Sequence, residues 1–129
     1  MKAETKKCLG IDWGQKRIGL AIALPGVDLA LPYSTVTSLD EVIKVIAQEE
    51  IQILVLGQPT KMKGGSDLDP AFLAFSVELK ARVKIPIIFQ DERLSSLAGD
   101  KLIGAKKDKA GRDAIAAMII LQSYLDKVK

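Results

Sequence analysis

Hydrophobic and polar positions alternate with period two near the start of the chain and change to longer periods after residue 38. In residues 17–24, Ile18, Leu20, Ile22 and Leu24 share one face, and Gly19, Ala21 and Ala23 share the other. Residues 7–13 repeat the arrangement, with Leu9, Ile11 and Trp13 opposed to Cys8, Gly10 and Asp12. Each segment therefore reads as a strand with one bulky face and one small-residue face. A tight turn around Gly14-Gln15 joins them. Residues 33–37 predict a short third strand, after a loop containing Pro25, Gly26 and Pro32. Together these three predict an antiparallel meander.

Ser38-Leu39-Asp40-Glu41 has the spacing of a capping box, which predicts a helix running to about Glu50. Residues 51–57 form an apolar run of strand length. Residues 67–83 predict a second helix, with Pro70 tolerable only in its first turn. Residues 85–91 predict another strand, with Pro86 at its start or on a sheet edge. A short helix is expected after Leu94, then a loop over 104–110. A last helix is expected from about Gly111 to Asp126. Strands that alternate with helices imply parallel pairing in this half, so the fold class is α/β with a mixed sheet.

Composition narrows the chemistry. The chain has 129 residues, 48% of them hydrophobic, which suits one domain over residues 1–129 with a filled core. Nineteen basic residues against 16 acidic ones give a net charge of +3, a mild lean towards anionic partners. The single cysteine, Cys8, excludes an internal disulfide and reads as a small buried hydrophobe. With no histidine, Ser-His and Cys-His nucleophile systems and histidine-ligated metals are excluded. The start, MKAETKK, is not followed by an apolar signal segment, and no apolar run approaches the ~18 residues of a membrane span. The expectation is a cytoplasmic protein.

Chemistry must then come from carboxylates, Lys, Arg, hydroxyls or an oxygen-held metal. If the strands at 7–13, 51–57 and 85–91 are parallel, their carboxyl ends share one sheet edge, where open α/β sheets bind ligands. The first ends in Asp12. The second ends in Gly57-Gln58-Pro59, followed by Lys61 and Lys63. The third ends in Asp91-Glu92-Arg93. The last helix carries Ala110, Ala114, Ala116 and Ala117, small residues that permit close approach to the Gly10/Gly19/Ala21 face. That packing would bring Asp113 towards Asp12. Asp12, Glu92 and Asp113 are thus candidate catalytic residues and metal ligands. Each also has a plain structural reading: turn formation, a solvated surface carboxylate, or a helix-dipole partner, respectively. Clustered carboxylates repel unless a cation enters. Mg²⁺ or Mn²⁺ suits an all-oxygen site and phosphodiester chemistry. Lys16, Arg17, Lys61, Lys63 and Arg93 are candidate phosphate contacts, with solvated surface charge as the plain alternative.

DWGQKRIGLAI, LVLGQPTKMKGGS, DERLSS and GRDAIAAMIILQSYLD occur in the order seen in the YqgF (RuvX) family, and the chain resembles it from Leu9 to Asp126. The resemblance implies an RNase H-like fold with a five-stranded mixed sheet flanked by helices. It implies a Holliday-junction-resolvase-like nuclease of pre-16S rRNA processing. Family metal-binding carboxylates fall on Asp12, Glu92 and Asp113, and Lys16 and Arg17 match the family's KRIG turn. The sequence departs from the family pattern at Gln58, where leucine is usual, and over Leu97 to Lys109, which is shorter. Ala116 and Ala117 stand where related resolvases carry a further acidic residue. The implied partner is nucleic acid, either an rRNA precursor or branched DNA, with no membrane and with a monomer or homodimer. Two other readings stand beside it. One is a non-catalytic nucleic-acid-binding module. The other is a nucleotide-binding unit, since Asp12-x-Gly14 followed by Gly19 resembles the first phosphate loop of actin-like ATPases.

Overall fold

The computed structural model describes residues 6–58, 69–91 and 109–128. Five strands form one sheet. They are β1 (Cys8–Asp12), β2 (Ile18–Ala23), β3 (Ala30–Val36), β4 (Ile53–Gln58) and β5 (Ile87–Asp91). Their spatial order is β3-β2-β1-β4-β5. β1, β2 and β3 form the antiparallel meander, β4 pairs parallel to β1, and β5 pairs parallel to β4. Three helices are described: α1 (Leu39–Gln48), α2 (Pro70–Arg82) and α3 (Lys109–Val128). No helix among the described residues is long and apolar enough to cross a membrane.

The two faces of the sheet collect two cores, as the alternation requires. Leu9, Ile11, Ile18, Leu20, Ile22, Leu54 and Leu56 pack with Val42, Val45, Phe72, Phe75 and Leu79 of α1 and α2. Cys8, Ala21, Ala23, Ile53 and Val55 pack with Ala117, Ile120, Leu121, Tyr124 and Leu125 of α3. The small-residue face of β1 and β2 is therefore the seat of α3. A Cβ at Gly10 would lie 2.7 Å from Leu121 Cβ and 2.9 Å from the Ala117 carbonyl oxygen. A Cβ at Gly19 would overlap the Asp113 carbonyl oxygen. Helix and strands meet here at backbone distance because neither strand has a side chain in the way.

The helix starts follow the capping chemistry. The Glu41 N–H donates to Ser38 Oγ at 3.2 Å. The return arm of the box reaches one residue further upstream than the usual pattern: the Thr37 N–H donates to Glu41 Oε1 at 2.7 Å. Asp69 caps α2 by accepting from the Ala71 N–H at 2.8 Å, with Pro70 at the first helical position.

Several boundaries differ from the sequence expectation. β3 begins at Ala30, three residues before the predicted start at Tyr33, and runs through Pro32. It is an edge strand, where a missing N–H costs no ladder bond, and its register shifts at Leu20/Ala21 opposite Pro32. Gln122 of α3 accepts from the Ala30 N–H at 2.9 Å and donates to the Asp28 carbonyl at 3.1 Å, fixing where that strand starts. Leu24, expected on the bulky core face, lies beyond the end of β2 and is exposed. α3 starts at Lys109 and ends at Val128, so Lys109 and Ala110 are helical, not part of the preceding loop. The short helix expected after Leu94 lies outside the described residues.

Candidate active site

The parallel register brings three strand ends to one edge. Ile11 aligns with Leu56, and Leu56 with Phe89. Asp12, Gln58 and Asp91 close their strands at that edge. Asp12 is half-buried. Its position is fixed from the opposite face by the next residue: the Trp13 ring meets Phe72 edge-on at 5.8 Å and Phe75 at 6.4 Å. Pinning Trp13 among the α2 aromatics leaves Asp12 to point to the α3 side, in the same alternation as Cys8 and Gly10.

The first turns of α3 bring Asp113 to the same end. Gly19 is the cross-strand partner of Asp12, and the Asp113 backbone sits against Gly19. Arg17, at the end of the β1–β2 turn, donates from Nε to Asp113 Oδ2 at 2.7 Å. The pair is partly exposed, with side-chain exposures of 37% and 25%, so its stabilising contribution is ~0.2–1 kcal/mol. It acts chiefly by orienting the Asp113 carboxylate. Arg17 thus has a carboxylate partner through Nε. Lys16 is exposed beside it. Glu92, Lys61, Lys63 and Arg93 lie outside the described residues. No cluster of three or more acidic, Cys or His side chains occurs among the described residues.

One polar group at this edge carried no signal in the sequence beyond its place in an apolar strand. Gln90, in IIFQD, is only 9% exposed, and its Oε1 is buried without a hydrogen-bond partner. Among the described residues it is the one buried polar side chain, and an orphaned acceptor of that type costs ~1–3 kcal/mol. Asp12, Asp113 and Gln90 offer oxygen donors, and the chain has no histidine. That donor set fits Mg²⁺ or Mn²⁺ and does not fit Cu⁺.

The family model for RuvX, described as Holliday junction resolvase, matches residues 6–127. This chain belongs to the RuvX family. RuvX relatives include a protein of Chlamydia pneumoniae, 36% identical, aligned over 95% of this chain and 91% of that protein. Another, from Maridesulfovibrio salexigens, is 38% identical over 92% and 97%. Both are named "Putative pre-16S rRNA nuclease". Among solved structures, Thermus thermophilus RuvC in complex with a Holliday junction substrate superposes with a TM-score of 0.59 at 14% identity, covering 95% of this chain and 94% of that one. The yeast mitochondrial Holliday junction resolvase Ydc2 gives 0.59 at 11%, covering 94% and 78%. The RuvX chain thus shares the RNase H-like fold of the resolvases.

Proposed function

We propose that this RuvX protein is a metal-dependent endonuclease that hydrolyses phosphodiester bonds in nucleic acid, with precursor 16S rRNA as its substrate in the cytoplasm. One observation carries the reading: α3 docks on Gly10 and Gly19 at backbone distance, which brings Asp113 to the sheet end where Asp12 closes β1. Two carboxylates facing one edge favour a divalent cation between them.

Asp12 and Asp113, with Glu92 from the DER segment, are the residues that would hold Mg²⁺ or Mn²⁺. The bound ion supplies charge neutralisation and an activated water for phosphodiester hydrolysis. Asp12 contributes a rigid carboxylate, because Trp13 locks the strand end. Arg17 steadies Asp113 through Nε. Lys16 stands exposed at the same turn, where a substrate phosphate can be held, and Arg17, Lys61, Lys63 and Arg93 are proposed for the same role.

RNA is favoured over branched DNA because the relatives at 36% and 38% identity carry the rRNA name, whereas the junction-bound neighbour is 14% identical and supports the fold. Cleavage of a junction remains the second reading, favoured by the description of the family model. The test incubates the protein with Mn²⁺ on a 5′-extended 16S precursor, a four-way DNA junction and single-stranded controls. Divalent-dependent cleavage of the precursor, abolished by EDTA, is the expected result. Junction cleavage with intact RNA would establish the second reading. Binding without cleavage of any substrate would make the domain a non-catalytic module.

A further inference from the structure

The site already described uses Asp12 and Asp113 and leaves Gln90 unexplained. The sheet places Gln90 in a row with them. Asp12 pairs with Gly19 on one side, and Gly57 pairs with Gln90 on the other. Ile11 aligns with Leu56, so the next residues along, Asp12 and Gly57, are neighbours. The row across the sheet is therefore Gly19, Asp12, Gly57, Gln90.

All four positions face α3. Cys8, four residues before Asp12, and Val55, two before Gly57, belong to the α3 core, and Ile88, two before Gln90, packs against it. Two of the four carry no side chain. Over Gly19 that space is filled by the Asp113 backbone. Gly57 itself puts no side chain between Asp12 and Gln90, whose strands are two spacings apart, about 10 Å. Gln90, whose amide oxygen is buried without a partner, thus stands on the same face of the sheet as Asp12 and as the α3 backbone that carries Asp113.

A buried, unsatisfied acceptor is unfavourable in the folded protein and persists where something else satisfies it. An apolar residue at position 90 would fit the strand better, because IIF precedes it and Ile88 on the same face packs into the core. The charge around it selects the occupant. Asp12 and Asp113, the latter paired with Arg17 through Oδ2, offer carboxylate oxygens to a cation, and a glutamine carbonyl is a neutral oxygen ligand for hard divalent ions.

We infer that Gln90 is a metal-ligating residue of this site, giving its amide oxygen to the divalent ion held by Asp12 and Asp113. The inference rests on the site reading above and adds to it a ligand drawn from the middle of an apolar strand. A neutral ligand raises oxygen coordination without adding repulsion among the carboxylates.

The test measures Mn²⁺ binding by calorimetry on metal-free protein, together with thermal melting in EDTA, for wild type, Gln90→Leu, Gln90→Glu and Asp12→Asn. Gln90→Leu removes the orphaned acceptor, so its metal-free melting temperature should rise by about 3 °C or more. The same variant should bind Mn²⁺ about tenfold more weakly, and Gln90→Glu should restore binding. A residue with a purely structural role cannot raise apo stability and weaken metal binding together. Should Gln90→Leu fail to fold, the unbranched Gln90→Met takes its place. Unchanged or tighter Mn²⁺ binding by the apolar variant, with Asp12→Asn impaired, overturns this inference alone. Wild type that binds no Mn²⁺, or Asp12→Asn that binds as well as wild type, overturns the site reading and the inference with it.

Discussion

Gly19→Ala is the substitution whose effect the structure defines most closely. The added Cβ meets the Asp113 carbonyl oxygen, which belongs to helix backbone and cannot rotate away. Either α3 lifts from the sheet at its first turns or β2 retreats from its pairing with β1. Gly10→Ala makes a useful comparison. There the new Cβ stands 2.7 Å from Leu121 Cβ and 2.9 Å from the Ala117 oxygen, where ordinary contact begins at 3.4 Å. It is short by several tenths of an ångström in the middle of the helix. Overpacking of that degree costs ~1–3 kcal/mol. Gly19→Ala should cost at least as much, because its clash is more severe. The functional effects should separate the two. Gly10 lies two residues up the strand from Asp12, whereas Gly19 supports the backbone of Asp113 itself. A displacement of about 1 Å at a catalytic group can lower the rate ~100-fold. Urea unfolding followed by the fluorescence of Trp13, the only tryptophan, measures stability. Cleavage rates are then compared at a temperature where both variants are folded. Gly19→Ala should lose much more activity than Gly10→Ala per unit of stability lost. A Gly19→Ala protein with wild-type stability and cleavage would refute the docking argument.

Other consequences lie away from the edge. Glu49 accepts from Lys7 Nζ at 2.9 Å and from the Tyr33 hydroxyl at 2.9 Å, and these bonds, led by that to Lys7, hold its carboxyl below the usual 4.5. A depressed folded value means that its contribution is complete at neutral pH and is lost as pH falls below 4.5 and through the folded value. Glu49→Gln should therefore flatten the acid limb of a stability-versus-pH curve, and an unchanged limb would count against the network. Glu50 has φ of 54° at the end of α1, in the left-handed region that suits glycine. Glu50→Gly should raise stability by ~1 kcal/mol in denaturant titration, since it relieves that conformation; a loss of stability would contradict this. Burial raises the Cys8 thiol to about 11. The folded protein should resist iodoacetamide at pH 8 and react only once unfolded, and rapid labelling of native protein would show that β1 is accessible.

Much of this arrangement was legible in the order of the residues. The small-residue face of Gly10, Gly19 and Ala21 announced a close partner, and the Ala114 and Ala117 side of the last helix met it. The carboxyl-end convergence followed from strands alternating with helices. Other features depend on contacts between residues far apart in sequence. Arg17 and Asp113 are 96 positions apart, and nothing local marks Arg17 as the partner of a carboxylate. The start of β3 is set by Gln122, 92 positions away from Ala30. Local turn signals at Pro25, Gly26 and Pro32 pointed to a longer loop, and an edge position made Pro32 harmless. Gln90 gave one faint sign, a polar residue inside IIFQD. Its meaning emerges only when the register sets it beside Gly57 and in line with Asp12.

The central claim is that the edge closed by Asp12 is where phosphodiester hydrolysis occurs. The measurement that tests it most directly is single-turnover cleavage of the rRNA precursor in Mn²⁺ by wild type and Asp12→Asn, with circular dichroism and melting on both. Asp12→Asn keeps the shape of the side chain and removes its charge. A folded variant whose cleavage falls to the metal-free background is the expected result. Cleavage by folded Asp12→Asn at the wild-type rate would contradict it.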